Sequence, residues 1–241
     1  MNNLTAIILA AGKGTRMKSK FPKVLHKVGG RPMLQHVLDA AAACGCTKKV
    51  VIIGHEAELV REMVGSQAQV VLQAEQLGTG HAVLQAAPVL QGVTGTALIL
   101  CGDTPLLEAA ELAKFAEAHA KSGAAATVMT AIMADPFGYG RILRDQNGNV
   151  AGIVEQKGAT AEQQKIQEIN TGIYCVAMPL LFEILKTLTN DNAQGEYYLT
   201  DLLSKLNAQG KKVAGYVTAD SDMVMGINSR RQLAEAESVM R

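Results

Sequence analysis

Short hydrophobic segments rich in valine and isoleucine alternate with helix-like stretches through the first 120 residues, and this alternation restricts the possible folds strongly. Such segments predict βα units, which assemble into a largely parallel sheet covered by helices. Candidate strands cover residues 5–9, 50–53, 70–72, 97–101, 126–132, 172–176 and 213–217. Candidate helices cover residues 32–43, 56–64, 80–90, 108–121, 179–188, 198–208 and 229–240. We therefore predict a mixed α/β domain.

The second half of the chain departs from simple alternation. Residues 139–143 and 150–154 fit a hairpin, because the Asn-Gly pair between them favours a tight turn. Pro32 and Pro179 suit the first turns of helices, where a missing backbone N–H costs nothing.

The last residues predict a helix that the sequence does not cap. Ser229 is a candidate N-cap, but no glycine follows the helical pattern before the chain stops. We expect residues 1–228 to form the domain and residues 229–241 to begin a linker helix in a longer protein.

Composition excludes several classes of protein. Hydrophobic residues make up 48% and charged residues 19% of the chain, which is typical of a globular protein. The net charge of +1 argues against a nucleic-acid partner, because coating nucleic acid needs a strongly basic face. The apolar run 6–11 is far below the roughly 18 residues of a membrane span, so we expect no membrane insertion. The cysteines lack zinc-site spacing and are too few for a disulfide framework, which favours a cytoplasmic location.

Charge is distributed unevenly near the start of the chain. Seven of the 23 basic residues lie within residues 13–31, and the first acidic residue is Asp39. This basic stretch follows the first candidate strand directly and contains Gly12-Lys13-Gly14, where bare backbone N–H groups can approach an anion. A small polyanion such as a nucleoside triphosphate suits this local concentration of charge.

The glycine turn belongs to a longer motif. It reads LAAGKGTRM at 9–17, followed by FPK at 21–23, and it lacks both the P-loop pattern and the third glycine of the dinucleotide fingerprint. This G-x-G-T-R-M…P-K pattern resembles that of the sugar-1-phosphate nucleotidylyltransferases. Six further motifs follow: QAEQLGTGHA at 73–82, GYGRI at 138–142, EQK at 155–157, EINTG at 168–172, GEYYLTD at 195–201 and GIN at 226–228. In this order they resemble the uridylyltransferase domains of the bacterial bifunctional enzymes that make UDP-N-acetylglucosamine, and the resemblance spans the whole chain.

The resemblance implies a fold and a reaction. The fold would be a Rossmann-like, three-layer nucleotidyltransferase fold with a mixed, mostly parallel central sheet. The reaction would join UTP to N-acetylglucosamine 1-phosphate and release pyrophosphate by direct attack of the sugar phosphate on the α-phosphorus. Such a transfer depends on positioning and charge stabilisation, which agrees with the lack of a recognisable Ser-His-Asp or Cys-His constellation.

The resemblance also implies roles for cations and for a metal site. Arg16 and Lys23 would steady the triphosphate and the charge that develops in the reaction. Asp103 and Asn228 would supply oxygen ligands to Mg²⁺, and Asp103 follows an apolar candidate strand, where ligands of parallel sheets gather. Cys101 stands where the family often has tyrosine.

The resemblance also implies which residues would recognise the base and the sugar. Leu9, Ala10, Ala11, Gly12, Gln73, Gly78 and Thr79 would bind the nucleotide. Gln73 offers a donor and an acceptor, as the imide edge of uracil requires. Gly140, Glu155 and Asn170 would hold the sugar. His81 is interpreted as a local capping or packing residue.

Other interpretations stay open. Glucose or mannose 1-phosphate with UTP, dTTP or GTP would keep the enzyme class, although Met17-Lys18-Ser19-Lys20 lacks the proline usual in glucose-type relatives. A nucleotide-sugar-binding module without catalysis would have lost Arg16, Lys23, Asp103 or Asn228, and all four are present. The incomplete glycine fingerprint disfavours a dinucleotide-dependent oxidoreductase.

The resemblance implies a larger assembly. In the family, a C-terminal left-handed β-helix transfers an acetyl group from acetyl-CoA to glucosamine 1-phosphate and supplies trimer contacts. We therefore expect the full-length protein to be a homotrimer through a domain that these residues do not encode.

Overall fold

A nine-stranded mixed sheet forms the centre of the molecule in the computed structural model, which describes residues 3–240. The strands are β1 (Leu4–Ala10), β2 (Lys27–Val28), β3 (Arg31–Pro32), β4 (Lys48–Ile53), β5 (Gln69–Leu72), β6 (Thr96–Cys101), β7 (Ala126–Ile132), β8 (Arg141–Arg144), β9 (Val150–Val154), β10 (Glu168–Ala177) and β11 (Val213–Val217). The strand order is β11-β7-β10-β6-β1-β4-β5, with the β8–β9 hairpin attached to β10, while β2 and β3 pair separately. Neighbouring strands on this path are parallel except where β10 meets β6 and β7.

Helices cover both faces of this sheet. They are α1 (Met33–Ala43), α2 (Ala57–Val64), α3 (Thr79–Leu84), α4 (Ala109–Ser122), α5 (Ala161–Gln164), α6 (Met178–Leu185), α7 (Asp201–Ala208) and α8 (Arg230–Val239). Short 3-10 helices span Thr15–Met17, Lys23–Leu25, Pro88–Leu90 and Asp222–Val224. Successive residues of β1 point to opposite faces of the sheet: Ile8 belongs to the hydrophobic cluster that includes residues of α1, α2 and α4, and Ile7 belongs to the cluster that includes residues of α3, α6 and α7. This arrangement confirms the predicted Rossmann-like, three-layer architecture with its mixed, mostly parallel sheet.

The last helix packs on the domain. Ala236 of α8 is buried with Val28, Met33 and Ile227, and the Glu237 carboxylate accepts a hydrogen bond of 2.8 Å from the Gly29 N–H. The Ser229 hydroxyl accepts from the Gln232 N–H, as its predicted role as N-cap requires. A domain boundary at residue 228 stays a prediction.

Two prolines show where the sequence-based elements were right and wrong. Pro179 lies in the first turn of α6, as predicted. Pro32 does not enter α1, because its backbone is extended (φ −53°, ψ 141°) and it pairs with Lys27 in the β2–β3 hairpin. The predicted helix 80–90 was too long: α3 ends at Leu84, and a 3-10 turn begins at Pro88, which has no N–H for a continuing helix.

The parallel register brings several strand ends to one edge of the sheet. Leu9 of β1 is opposite Ile52 of β4 and Cys101 of β6, while Leu72 at the end of β5 is opposite Ile53. The loops that follow these strands therefore converge, as expected at the carboxyl edge of a parallel sheet. Within residues 3–240, no helix combines the length and apolar character needed to span a membrane.

A pair of phenylalanines tests the assignment of the core. Phe115 of α4 is fully buried against Tyr216, with ring centroids 5.5 Å apart, whereas Phe137 is 77% exposed. Phe115→Ala should lower the free energy of unfolding by about 3–5 kcal/mol through lost burial and a residual cavity. Phe137→Ala should change it by less than about 0.5 kcal/mol in the same urea titration. Equal effects from the two substitutions would contradict the packing described here.

Candidate active site

A cavity of about 510 Å³ opens at the carboxyl edge of the sheet. Its walls come from the loops after β1, β5 and β6 and from the segment before α7. The lining residues are Leu9, Ala10, Ala11, Gly12, Lys13, Lys23, Val24, Gln73, Gln76, Gly78, Thr79, Ala82, Cys101, Asp103 and Glu196. Nine of the residues predicted to bind nucleotide or metal are therefore brought together: Leu9, Ala10, Ala11, Gly12, Lys23, Gln73, Gly78, Thr79 and Asp103.

The glycine turn after β1 allows the basic loop to fold back on itself. Gly14 has a left-handed conformation (φ 59°), and a Cβ added there would lie 2.6 Å from the Lys23 Cβ. Only glycine combines this φ with that approach at no steric cost. The 15–17 turn then directs Arg16 outward, where its side chain is exposed and does not line the cavity.

Lys23 joins three distant parts of the chain. Its ammonium forms an ion pair with the Asp103 carboxylate, and it donates a hydrogen bond of 2.8 Å to Asn228 Oδ1. The Lys23 and Asp103 side chains are only 14% and 15% exposed, so each charge depends on the other for compensation. The Ile227 N–H donates to the Asp103 carbonyl oxygen at 2.9 Å, which fixes the loop after β6 against the loop before α8.

The Asp103 carboxylate and Asn228 Oδ1, which face Lys23, also suit a divalent cation. Asn228 Nδ2 donates to the Gly226 carbonyl at 3.1 Å, and this contact turns Oδ1 towards the Lys23 ammonium and the Asp103 carboxylate. A positive charge is thus already held between a carboxylate and an amide oxygen. Among residues 3–240, no group of three or more His, Cys, Asp or Glu could hold a metal. Two protein oxygens completed by phosphates and water fit Mg²⁺, which keeps much of its water.

Gln73 is the buried amide of the cavity wall, with 3% of its surface exposed. Its Nε2 donates to the Gly78 carbonyl oxygen at 3.1 Å and lies 3.0 Å from His81 Nδ1. The Gly78 carbonyl oxygen therefore orients the Gln73 amide nitrogen, and Oε1 accepts no hydrogen bond from the described residues. The sequence suggested that Gln73 offers a ligand both a donor and an acceptor. In the structure the amide nitrogen is bound to the Gly78 carbonyl oxygen, and the acceptor Oε1 is available to a ligand.

The segment from Gly78 to Thr79 is held by the chain before α7. Gly78 has φ 114°, and a Cβ there would lie 2.6 Å from the Tyr197 carbonyl oxygen. The Thr79 hydroxyl accepts from the Leu199 N–H at 3.0 Å, and the Gly80 N–H donates to Tyr197 at 2.8 Å. These contacts fix the backbone that Gln73 uses as its acceptor.

The three residues predicted to hold the sugar form a second cluster. A Cβ added to Gly140 would lie 3.5 Å from Glu155 Oε2 and 3.6 Å from the Asn170 Cβ, and the Asn170 N–H donates to the Gly140 carbonyl at 2.9 Å. Asn170 Oδ1 accepts from the Gly172 N–H at 2.9 Å and from the Tyr174 hydroxyl at 3.0 Å. The Asn170 amide hydrogens are thereby left for a ligand.

Burial controls the ionisation of Glu155. Removal from water raises the pKa of this carboxyl group above its ordinary value, and the hydrogen bond of 3.2 Å from the Thr200 hydroxyl lowers it in part. The nearby Asp201 and Glu196 carboxylates add to the rise in the pKa of Glu155.

Cys101 connects the cavity with the second cluster, formed by Gly140, Glu155 and Asn170. It lines the cavity, and its thiol donates to the Gly172 carbonyl oxygen at 3.6 Å, in the strand that carries Asn170. Burial raises the pKa of this thiol to about 12, with a further contribution from Asp103. Cys101 is therefore a protonated wall residue and not a thiolate nucleophile.

Sequence reasoning did not select several residues that the structure brings to the site. Gln76 and Glu196 line the cavity, and Tyr174 and Thr200 hold the amide and carboxylate of the second cluster. Gln76, Glu196 and Thr200 lie inside the motifs described above, which signalled the segments without showing which side chains point inward. Tyr174 follows a motif by two residues and carried no signal of its own.

Comparisons with known proteins agree with this geometry. The family described as "MobA-like NTP transferase domain" matches residues 6–168. The bifunctional protein GlmU of Pelotomaculum thermopropionicum is 56% identical over 99% of this chain and 52% of its own length. GlmU of Heliobacterium modesticaldum is 52% identical over 100% of this chain and 53% of its own length. The chain thus spans about half the length of these relatives.

A solved structure extends the comparison to the fold. The structure of a UDP-glucose pyrophosphorylase in complex with UDP-glucose matches with a TM-score of 0.78, covering 100% of this chain and 98% of the other at 20% identity. At this identity the likeness concerns the fold. Because the family match covers more than half of the sequence, this chain belongs to the MobA-like NTP transferase domain family.

Proposed function

We propose that this chain is an Mg²⁺-dependent uridylyltransferase that joins UTP to N-acetylglucosamine 1-phosphate, giving UDP-N-acetylglucosamine and pyrophosphate for cell-envelope precursors. The observation that carries the proposal is the convergence of Lys23, Asp103 and Asn228 beside the cavity that the glycine turn after β1 helps to line. The high identity with bifunctional GlmU proteins supports the same conclusion.

The nucleotide would lie in the cavity with its base against Gln73. The Gln73 Oε1 acceptor complements the N3–H donor of uracil, and backbone from Leu9 to Gly12 and at Gly78 and Thr79 would complete base and ribose binding. The triphosphate would then extend towards Lys23 and the glycine turn.

The sugar phosphate would be held on the other side of Cys101. Asn170 offers amide hydrogens to a hydroxyl or acetamido oxygen, the Gly140 N–H can approach a ligand closely, and Glu155 can accept from sugar hydroxyls when ionised. The raised pKa of Glu155 implies that this acceptor is lost on acidification at a higher pH than for an exposed glutamate.

The reaction needs alignment and charge more than a protein nucleophile. An oxygen of the sugar phosphate would bond to the α-phosphorus as the bond to the β-phosphate oxygen breaks, and pyrophosphate would leave with the electron pair. Lys23 would steady the α-phosphate, and Arg16, exposed at the glycine turn, would meet the β- and γ-phosphates. Preorganised cations of this kind stabilise charge where it develops.

Asp103 and Asn228 would hold Mg²⁺ through the oxygens that now face Lys23. When bound, the ion would supply positive charge to the phosphate oxygens. Because Lys23 occupies these oxygens, it would turn from Asp103 towards the α-phosphate as the nucleotide enters.

The whole protein is a separate part of the proposal. Its relatives are named as bifunctional, and the chain spans about half of their length. We propose that the full-length protein is a cytoplasmic homotrimer assembled through a further domain, and that acetyl transfer resides there.

Pyrophosphate release tests the reaction and its substrate together. With Mg²⁺ and UTP, the chain should release pyrophosphate with N-acetylglucosamine 1-phosphate and much less with glucose 1-phosphate. Faster release with glucose 1-phosphate would discard the sugar assignment. A folded protein that releases no pyrophosphate with either sugar phosphate, and none with dTTP or GTP, would favour the interpretation as a nucleotide-sugar-binding module without catalysis.

Substitution of the two oxygen ligands tests the metal site. Asp103→Ala and Asn228→Ala should lower the turnover number, by on the order of 10²–10³-fold for the carboxylate, because charge stabilisation is lost. Binding of Mn²⁺ in the presence of UTP, followed by electron paramagnetic resonance, should weaken in both variants. The exposed Asp191→Ala and Asn190→Ala serve as matched controls. Wild-type turnover and Mn²⁺ affinity in both site variants would remove the metal assignment.

Lys23→Ala tests the cation at the α-phosphate. The turnover number should fall by on the order of 10²–10³-fold, as for loss of one well-aligned donor. Lys27→Ala, an exposed lysine in the same basic stretch, should leave the rate close to that of the wild type. An unchanged turnover number for Lys23→Ala would show that Lys23 pairs with Asp103 but does not assist the reaction.

A further inference from the structure

Arg141, the first residue of β8, is one of the largest fully buried side chains, with 2% of its surface exposed. Its guanidinium donates to the Tyr139 carbonyl oxygen, to Gln156 Oε1 at 2.9 Å and to the Gln164 carbonyl oxygen at 3.4 Å. Within residues 3–240 it forms no ion pair with a carboxylate, and its Nε has no hydrogen-bond partner. A buried charge held only by neutral acceptors is costly. Its contacts therefore serve to orient neighbouring groups more than to compensate charge.

The contact with Tyr139 orients the peptide unit that joins Tyr139 to Gly140. This unit is planar and trans, so its C=O and N–H point in opposite directions. Because the guanidinium binds the carbonyl oxygen, the Gly140 N–H points away from Arg141. Gly140 is buried, and its N–H donates to no acceptor among the residues that the structure describes. Buried backbone N–H groups nearly always have a partner, so this donor is left for a ligand.

Gln156 holds the guanidinium from the segment after β9. Its Oε1 accepts from Arg141 and, at 3.0 Å, from the Gly138 N–H. Both partners can only donate, so the oxygen of this amide, and not its nitrogen, must face them. Gln156 follows Glu155 directly. The same contacts therefore join the segment before Gly140 to the segment that carries the carboxylate of the second cluster.

We propose that Arg141 is a positioning residue for the sugar, which directs the Gly140 N–H towards a sugar oxygen by holding the Tyr139 carbonyl on the opposite side. This inference rests on the proposed function, in which Gly140 contacts the sugar. Without the guanidinium the peptide unit could rotate, and the N–H would lose its fixed direction. The nucleotide would be little affected, because none of the hydrogen-bond partners of Arg141 lines the cavity.

The experiment compares the wild-type chain with Arg141→Met and with Arg144→Met as a matched control. Methionine is unbranched and has no donor, and loss of a buried charge that has no carboxylate partner need not destabilise the fold. Arg144 lies on the same strand but pairs with Glu168. The readouts are KM for N-acetylglucosamine 1-phosphate, KM for UTP, and the calorimetric dissociation constants of UDP-N-acetylglucosamine and UDP, all with Mg²⁺. Thermal unfolding verifies that each variant is folded.

In Arg141→Met, KM for N-acetylglucosamine 1-phosphate should rise by about fivefold, the value of one net hydrogen bond, while KM for UTP stays unchanged. The dissociation constant of UDP-N-acetylglucosamine should rise by a similar factor, and that of UDP should not. Arg144→Met should keep all four constants close to those of the wild type. A merely structural role would change the constants for sugar and nucleotide alike. Such parallel changes, or an unchanged KM for the sugar phosphate in folded Arg141→Met, would overturn the inference.

Substitutions of Gln156 give a second test if Arg141→Met does not fold. Gln156→Leu removes the acceptor that orients the guanidinium, whereas Gln156→Glu keeps an oxygen at the same place. A raised KM for the sugar phosphate in Gln156→Leu, with a value near that of the wild type in Gln156→Glu, supports the inference. Equal values in the two variants overturn it.

The same measurements separate this inference from the proposed function. A wild-type chain that uses N-acetylglucosamine 1-phosphate, with an Arg141→Met variant that keeps its KM, retains the proposed function and removes the role of Arg141. A wild-type chain that neither releases pyrophosphate nor binds UDP-N-acetylglucosamine overturns both.

Discussion

Parallel alignment of β1, β4, β5 and β6 is the constraint on which the site depends, because it gathers the loops after four strands at one edge of the sheet. The loops can meet there only where side chains are small. A Cβ on Gly54, which follows β4, would lie 2.8 Å from the Ala11 carbonyl oxygen and 2.9 Å from Gln76 Nε2. A Cβ on Gly102, after β6, would lie 3.0 Å from the Leu9 carbonyl oxygen. Glycines after the strand ends thus allow the loops that form the cavity walls to contact one another.

The charges of the site follow from that convergence. Residue 23 comes from the loop after β1, residue 103 from the loop after β6 and residue 228 from the chain before α8, and their side chains meet where little water reaches them. A partly buried ammonium without a partner would be unstable, so the Asp103 carboxylate that would bind a cation also stabilises the chain without one. Ligand entry would then exchange one set of charge contacts for another. A site built in this way would keep its charges compensated throughout the exchange.

The sequence predicted the strands well because their hydrophobic segments are short, rich in valine and isoleucine and separated by clear turns. It predicted helix ends less well, because a proline can lie either in the first turn of a helix or just before it. Pro32 immediately precedes α1 and also belongs to strand β3. The candidate site residues came from motifs, and the structure gathers most of them around one cavity and a neighbouring cluster. The directions of the two amides could not be predicted, because the partners of Gln73 and Asn170 are set by the tertiary fold.

Those directions bear most directly on specificity. In Gln73 the nitrogen donates to a backbone carbonyl and lies 3.0 Å from an imidazole nitrogen, and the oxygen remains for the ligand. In Asn170 the oxygen is occupied by a backbone N–H and a phenol, and the nitrogen remains. Each amide, which could donate or accept in solution, is thereby oriented by neighbouring groups of the protein. Selectivity would then depend on the partners of these amides as well as on the amides themselves, since a free amide could rotate to accommodate either a donor or an acceptor.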